Sequence, residues 1–350
     1  MDKSIALVTG ASGYLGSWVA REFLSEGWRV IGSVRSVKNE EKVAHLKEMQ
    51  ETYPDHLELI EGDLLEPGAF EEACARAAVV VHTASPFAIG RVDDPENSLL
   101  RPALEGTRNV LASARRSSTV KRVVLTSSVV ATHGDASEVA ETEHGFIHEG
   151  HWNRTSSLTH QPYSYAKSEA EKAAWEIADK APWKLVTLNP GFILGPSLSK
   201  RGDSASATLL RRLLSGEFAS GVPKLSFGVV DVREVARAHL EAASRKDAEG
   251  RTILVATHAT LLEMAEIIDL LFPGVHPVPR RELPTPLLYL PAPKLGLSWR
   301  YIHRNVGKPV RYDNRKSKEI LGIFYRSLEE TLGDHRNQMV ADGLLTGTGD

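Results

Sequence analysis

Three observations predict a doubly wound α/β fold built on a parallel sheet. The run Thr9–Gly16, TGASGYLG, joins an apolar strand-like segment to a helix-like one through a glycine-rich turn. Up to residue 195, short apolar runs rich in valine alternate with segments of helical length, as in strands buried on both faces. After residue 195 that alternation breaks. Residues 1–195 therefore read as a Rossmann-type unit and 196–345 as a smaller, mostly helical lobe. Some strands and helices of the second stretch are free to return to the first.

The elements come in order. Ile5-Ala6-Leu7-Val8 begins a strand at 4–9, and Leu15, Trp18, Val19, Phe23 and Leu24 carry helical spacing through 14–26. Gly27 stops that helix. Further strands are expected at 29–34, 57–60, 79–82, 121–127 and 184–189, with helices at 37–52, 67–77, 97–117 and 163–181. Beyond 195, helical pieces are expected at 204–215, 231–245, 260–272 and 327–342, with a strand at 251–256. A proline-dense stretch runs from Pro277 to Pro293. Within it, Leu287-Leu288-Tyr289-Leu290 suits a pocket lining or lobe core equally.

Composition bounds the class. The 350 residues, 38.4 kDa in mass, are 42% hydrophobic and 25% charged, which fits a soluble globular chain with a sizeable core. The net charge is −3, and no basic block suggests a nucleic-acid partner. Cys74 is the one cysteine, so no disulfide closes within the chain, and it reads as small packing filler in a helix. The first strand begins almost at once, leaving no room for a signal peptide, and no apolar run reaches the ~18 residues of a membrane span. The expectation is a cytoplasmic protein without a membrane partner, monomer and homodimer both remaining open.

The glycine turn points to a dinucleotide. Gly10 permits the tight turn, Gly13 lets backbone approach a pyrophosphate, and Gly16 allows close helix–strand packing. Free N–H groups and the dipole at the helix start favour the phosphate charge. An NAD site usually adds an acidic residue about 20 residues further on. Here the second strand ends instead in Arg35, with Lys38 and Lys42 behind it and no carboxylate before Glu40. A guanidinium there can grip a 2′-phosphate bidentately, so NADP(H) is the expected cofactor.

Tyr163 and Lys167 stand at i and i+4 of a helical segment, projecting from one face. A nearby ammonium favours phenolate, which is expected to lower the tyrosine pKa and suit it to proton transfer. Ser128 closes RVVLTSS, at the mouth of the crevice where a hydroxyl can hold a substrate carbonyl oxygen. These three form a coherent carbonyl-reduction set. His148 and His151, three apart in FIHEGHWN, lack a third ligand at useful spacing, so no metal site is expected. Asp231 before VREVARAHL reads as a helix N-cap.

Together, TGASGYLG, the serine after strand five and Tyr-x-x-x-Lys resemble an extended short-chain dehydrogenase/reductase. The resemblance sharpens toward the dihydroflavonol reductase and cinnamoyl-CoA reductase branch, and most toward yeast-type NADPH-dependent methylglyoxal and aldehyde reductases. It is carried by VIGSVRS (30–36), VVHTASPF (80–87), RVVLTSS (122–128), AEKAAWEI (170–177), LNPGFILGP (188–196), VDVREVARAHL (230–240) and DNRKSKEILG (313–322). It implies catalytic Ser128, Tyr163 and Lys167. Cofactor contacts fall on Gly10, Ser12, Gly13, Tyr14, Leu15, Gly16, Arg35, Lys38, Asp63, Leu64, Thr83, Ala84, Ser85, Tyr163, Lys167 and Pro190. Its pocket positions are Phe87, Val129, Thr132, His133 and Phe192, plus the loop around 286–297.

Two departures refine the implication. The fourth helix, RPALEGTRNVL, puts Asn109 away from the position of a catalytic asparagine found in many single-domain relatives. Gln161-Pro162-Tyr163-Ser164-Tyr165-Ala166-Lys167 lacks the Asn-Trp-Tyr-Cys-Tyr-Gly-Lys signature of cinnamoyl-CoA reductases, which weighs against a CoA thioester. The leading expectation is an NADPH-dependent reductase of hydrophobic aldehydes and ketones. A nucleotide-sugar epimerase or dehydratase and a non-catalytic NADP(H)-sensing regulator are the alternatives; Arg35 opposes the first, and the retained tyrosine opposes the second.

Overall fold

The computed structural model describes residues 4–85, 92–290, 292 and 297–345. The first half alternates as expected: β1 (Ile5–Thr9), α1 (Tyr14–Ser25), β2 (Arg29–Val34), α2 (Glu40–Thr52), β3 (Leu57–Glu61), α3 (Glu71–Arg76), β4 (Val79–His82), α4 (Arg101–Arg116), β5 (Arg122–Thr126), α5 (Pro162–Ala178) and β6 (Lys184–Pro190). Then come β7 (Phe192–Leu194), α6 (Ala205–Leu214), β8 (Ser226–Asp231), α7 (Val232–Ser244), β9 (Gly250–Leu254), β10 (Thr257–Thr260), α8 (Leu261–Leu271), α9 (Thr285–Leu288), α10 (Trp299–Asn305), α11 (Arg315–Glu319) and α12 (Leu328–Ala341).

Seven strands form one sheet in the order β3-β2-β1-β4-β5-β6-β9, every pairing parallel. The order reverses between β1 and β4, so a crevice opens beyond the carboxyl ends of these strands. Thr9 of β1 lies level there with Ser33 of β2 and His82 of β4. A second sheet, β10-β8-β7, belongs to the later part of the chain. The strand read at 251–256 is β9, which pairs with β6 as the seventh strand, and α7 packs on α1. The chain therefore returns to the main sheet well past residue 195.

Alternation along each strand explains the valine-rich runs. Ala6 and Val8 of β1 face a core with Val19 and Phe23 of α1, whereas Leu7 faces Phe70, Cys74 and Val110. Both faces are buried, so neither can be polar. Cys74 fills space there, and burial pushes its thiol up to about 12. A third core joins Leu194, Leu210, Val229, Met264 and Leu332, which binds β7, α6, β8, α8 and α12 together.

Local chemistry moves some expected boundaries. The helix read at 37–52 starts at Glu40 because Asn39 caps it, its side chain accepting the Lys42 N–H. The helix read at 97–117 begins with a wider π turn over Glu96–Leu100. Pro102, without an N–H, cannot donate in a regular first turn there. Gly27 has φ +76° and returns its N–H to Leu24, the left-handed stop expected of it. Asp231 caps α7, accepting the Arg233 N–H at 2.8 Å, with Glu234 answering from the third position.

The glycine turn packs closely on its own backbone. Gly10 has φ +72°, and a Cβ on Gly16 would stand 2.1 Å from the Gly10 carbonyl oxygen. Backbone cannot yield as a side-chain tip can. Gly16→Ala should therefore lower stability by about 1–3 kcal/mol through overpacking. Urea unfolding of the purified protein measures this; an unchanged midpoint would contradict the packing described.

Candidate active site

The cofactor side is assembled from the ends of β1, β2, β3 and β4. Thr83 Oγ1 donates to the Thr9 carbonyl at 2.7 Å, and Ala84 lies directly against Gly10. Thr9 Oγ1 bonds His82 Nδ1 at 2.7 Å beneath them. Gly13 caps α1 with no side-chain acceptor, and the first turn of α1 holds no acidic residue. Its leading N–H groups thus face an exposed glycine, a fit for a diphosphate. Arg35 and Lys38 stand exposed after β2. Asp63 turns its carboxylate onto the Leu65 N–H at 2.9 Å, and the Leu64 carbonyl accepts from Asn109 Nδ2 at 2.8 Å. Asn109, without a catalytic role in the sequence reading, is what fixes the loop after β3.

The residues expected to be catalytic lie across the crevice. Ser128 caps a single turn, Val129–Ala131; its Oγ accepts the Val130 N–H and reaches the Pro190 carbonyl at 3.4 Å. Tyr163 and Lys167 project from the first turns of α5. Lys167 Nζ donates to the Thr126 carbonyl at 3.3 Å, at the end of β5. A cavity of about 10 Å³, bordered by His82, Ala84, Ser85, Ser127 and Lys167, lies between the two sides.

Electrostatics here differ from the sequence expectation. Burial pushes the Tyr163 phenol up, not down, because the low-dielectric surroundings penalise the charged phenolate. Lys167 itself is pulled down to about 8 by burial, with the Glu171 carboxylate one turn on opposing the fall. His82 falls to about 3, through burial first and the Lys167 charge second, so it is neutral at neutral pH.

The expected pocket residues are spread. Val129 is 5% exposed and packs with Ile147, Ile253 and Val310, while Thr132 is 1% exposed and donates to the Val129 carbonyl. His133 Nε2 meets the Tyr312 hydroxyl at 2.7 Å. Phe192 is partly buried beside Phe227, ring centroids 5.7 Å apart. Phe87 lies outside the described residues, as do 291 and 293–296 of the loop around 286–297. Within that loop Leu288 joins a small core with Ala292 and Ile302, whereas Leu287 and Leu290 are exposed. Tyr14 commits its hydroxyl to the Gly195 carbonyl at 2.7 Å. His148 and His151 pack edge to face, and no group of three potential metal ligands occurs among the described residues.

Sequence reasoning missed the buried group on which the site rests. Glu171 accepts from Ser127 Oγ at 2.5 Å, Asn189 Nδ2 at 2.9 Å, Thr187 Oγ1 at 3.1 Å and Arg251 Nε at 2.7 Å. Asn189 also donates to the Ser128 carbonyl at 3.1 Å, so Glu171 holds Ser128 through one intermediary. The i+4 spacing from Lys167 was the available signal, since Glu171 repeats the Tyr163-to-Lys167 step once more.

Comparison with known proteins agrees with this geometry. The model of the NAD dependent epimerase/dehydratase family matches residues 6–256. Tetraketide alpha-pyrone reductase 1 of Arabidopsis thaliana is 34% identical over 349 residues, covering 98% of each chain. NADPH-dependent methylglyoxal reductase GRE2 of Saccharomyces cerevisiae is 30% identical, over 95% of this chain and 97% of that one. The crystal structure of yeast methylglyoxal/isovaleraldehyde reductase Gre2 complexed with NADPH superposes with a TM-score of 0.78. It is 29% identical, over 97% of this chain and 100% of that chain.

Two measurements test the electrostatics. Glu171→Gln or Arg251→Met alone leaves one buried charge without its partner and should cost about 3–5 kcal/mol. The double variant should cost clearly less than the sum, as a urea-unfolding cycle would show; strict additivity would deny the coupling. Lys167 makes the second test. Its folded pKa lies below the unfolded value, so its buried charge destabilises fully below pH about 8, and the penalty fades toward the unfolded pKa of about 10.4. Relative to Lys167→Met, the wild type should gain stability across that window; a flat difference would place the ammonium in water.

Proposed function

The chain belongs to the NAD dependent epimerase/dehydratase family, the extended short-chain dehydrogenases/reductases, and we propose that it is an NADPH-dependent reductase of hydrophobic aldehydes and ketones. One observation carries this reading. Ser128 after β5 reaches Pro190 at the end of β6, Lys167 of α5 reaches Thr126 at the end of β5, and Tyr163 stands one turn before Lys167, while Arg35 follows β2 where an NAD site would place a carboxylate. Both relatives compared with the chain are reductases, and the yeast one carries NADPH in its name and in its crystal structure.

NADPH, when bound, supplies the hydride to a carbonyl carbon. The chain's own residues manage the oxygen. Ser128 Oγ hydrogen-bonds it, and Tyr163 Oη delivers a proton to the developing alkoxide. A phenol kept protonated by burial is in the right state to donate, and an alkoxide is basic enough to take the proton. The Lys167 ammonium then stabilises the phenolate left behind. Gly10, Ser12, Gly13, Leu15 and Gly16 hold the diphosphate by backbone, with Arg35 and Lys38 on the 2′-phosphate. Phe192, an expected pocket position, lies beside Phe227, and an aromatic pair facing the substrate would favour apolar substituents on the carbonyl.

With the oxygen fixed by Ser128 and Tyr163 and the hydride arriving from one side, only two poses of an unsymmetrical ketone remain. A difference of ~2 kcal/mol between them yields about a 30-fold preference for one alcohol. The test is NADPH consumption with a panel of aldehydes, aryl ketones and nucleotide sugars, then chiral chromatography of the products. Tyr163→Phe should lower the rate about 10²–10⁴-fold while NADPH still binds. Turnover confined to nucleotide sugars, or a Tyr163→Phe variant as fast as wild type, would sink the proposal.

A further inference from the structure

The segment after β7 is laid along α1. Tyr14 Oη donates to the Gly195 carbonyl at 2.7 Å, and Trp18 Nε1, one turn on, to the Pro196 carbonyl at 2.8 Å. Leu198 packs on the same core as Leu15 and Trp18. From the other side, Gln338 of α12 accepts the Ser197 N–H at 2.9 Å. Residues 195–198 are thus fixed over the first turns of α1, and they deliver Arg201, three positions later, to the glycine turn.

Arg201 Nη1 reaches the Ser12 carbonyl at 3.5 Å, inside the turn between Gly10 and Gly13. Its Nη2 pairs with Asp203, whose carboxylate is largely exposed. On the far side, the Arg201 charge helps hold His45 of α2 below its ordinary range, after the larger effect of burial. His45 Nε2 is buried without a hydrogen-bond partner among the described residues. The guanidinium therefore sits between the glycine turn and α2, with its own side chain only 19% exposed. The first turn of α1 offers no carboxylate to receive it.

A cation brought by a distant segment to N–H groups that already favour an anion has a clear use. We propose that Arg201 is a further cofactor-binding residue, whose guanidinium closes on the diphosphate at the start of α1. Arg35, at the end of β2, is left with the 2′-phosphate. The inference rests on the NADP(H) reading of this crevice. The bond to Ser12 is long and the Asp203 carboxylate is largely exposed, so both contacts can give way to a phosphate. Arg201 also joins the later part of the chain to the cofactor of the earlier part.

Binding, read by isothermal titration calorimetry, separates the two arginines. The probes are NADP⁺, ADP-ribose, which has a diphosphate but no 2′-phosphate, and adenosine 2′-monophosphate, which has the reverse. Arg201→Met should weaken NADP⁺ and ADP-ribose roughly 10- to 150-fold, the loss of a charge-assisted contact, and leave adenosine 2′-monophosphate unchanged. Arg35→Met should do the opposite, sparing ADP-ribose. Arg201→Lys should restore part of the ADP-ribose affinity, which separates lost charge from disturbed folding. ADP-ribose bound by Arg201→Met as by wild type would overturn the proposal, as would equal loss of all three probes. A wild type that binds none of them would overturn the cofactor reading itself, and this inference with it.

Discussion

The ion pair between Glu171 and Arg251 is the contact on which the site depends. Glu171 is 1% exposed and Arg251 7%, so both charges have left water at considerable cost. That cost is offset only because almost every polar atom is engaged. Glu171 binds Ser127 after β5, Thr187 and Asn189 of β6, and Trp175 of its own helix. Arg251 continues outward from β9 to the carbonyls of Glu149 and His151 and lies 4.0 Å over the Trp152 ring. One carboxylate thereby clamps α5 to three strand ends and to the loop that covers the Ser128 turn. An apolar pair could fill this volume, but it could not set the angle of Asn189 and hence the carbonyl of Ser128.

A second buried carboxylate fixes where α5 begins. Asp135 is fully buried and receives His160 Nε2 at 3.0 Å, Gln161 Nε2 at 2.7 Å and Asn305 Nδ2 at 2.8 Å. Gln161 is one of two described non-glycine residues with positive φ, at 56°, and it stands two residues before Tyr163. A left-handed glutamine is strained by itself and persists when its surroundings hold it. Here the hold is the bond to Asp135 and a second to the Gly134 carbonyl at 2.8 Å. Asn305 carries the same knot into α10, so the later part of the chain bears on the helix that presents the tyrosine. Glu171 sets the depth of α5, and Asp135 sets its start.

What could be read from the sequence was whatever is written locally. The valine runs, Gly27, the glycine turn and the Tyr163–Lys167 step each act within one or two elements, and the fold carries them where expected. The small sheet was not legible. β7 has three residues, β10 reads Thr-His-Ala-Thr, and β8 is interrupted by Gly228, none of which makes a two-residue period. Gly228 is there because the Tyr312 ring lies 2.7 Å from where its Cβ would be, a fact of tertiary packing. Helices α9, α10 and α11 span four to seven residues, too short for an apolar stripe to repeat. Glu171 was hidden differently. In AEKAAWEI it looks like any glutamate on a solvated face, and only Arg251, 80 positions along the chain, makes its burial possible.

The same long-range dependence explains the error over Tyr163. The i+4 ammonium is real, but sequence spacing carries no information about dielectric, and both groups prove to be buried. In that setting the phenol keeps its proton, and the lysine is the group drawn toward neutrality. The arrangement is therefore polarised before any substrate arrives. A protonated donor stands beside a cation whose charge is opposed by burial and upheld by Glu171. On the proposed mechanism, as charge forms on a substrate oxygen the proton would move to it, and the phenolate would give the buried ammonium a counter-ion besides Glu171. That transfer would offset part of the desolvation penalty that the resting Lys167 ammonium carries.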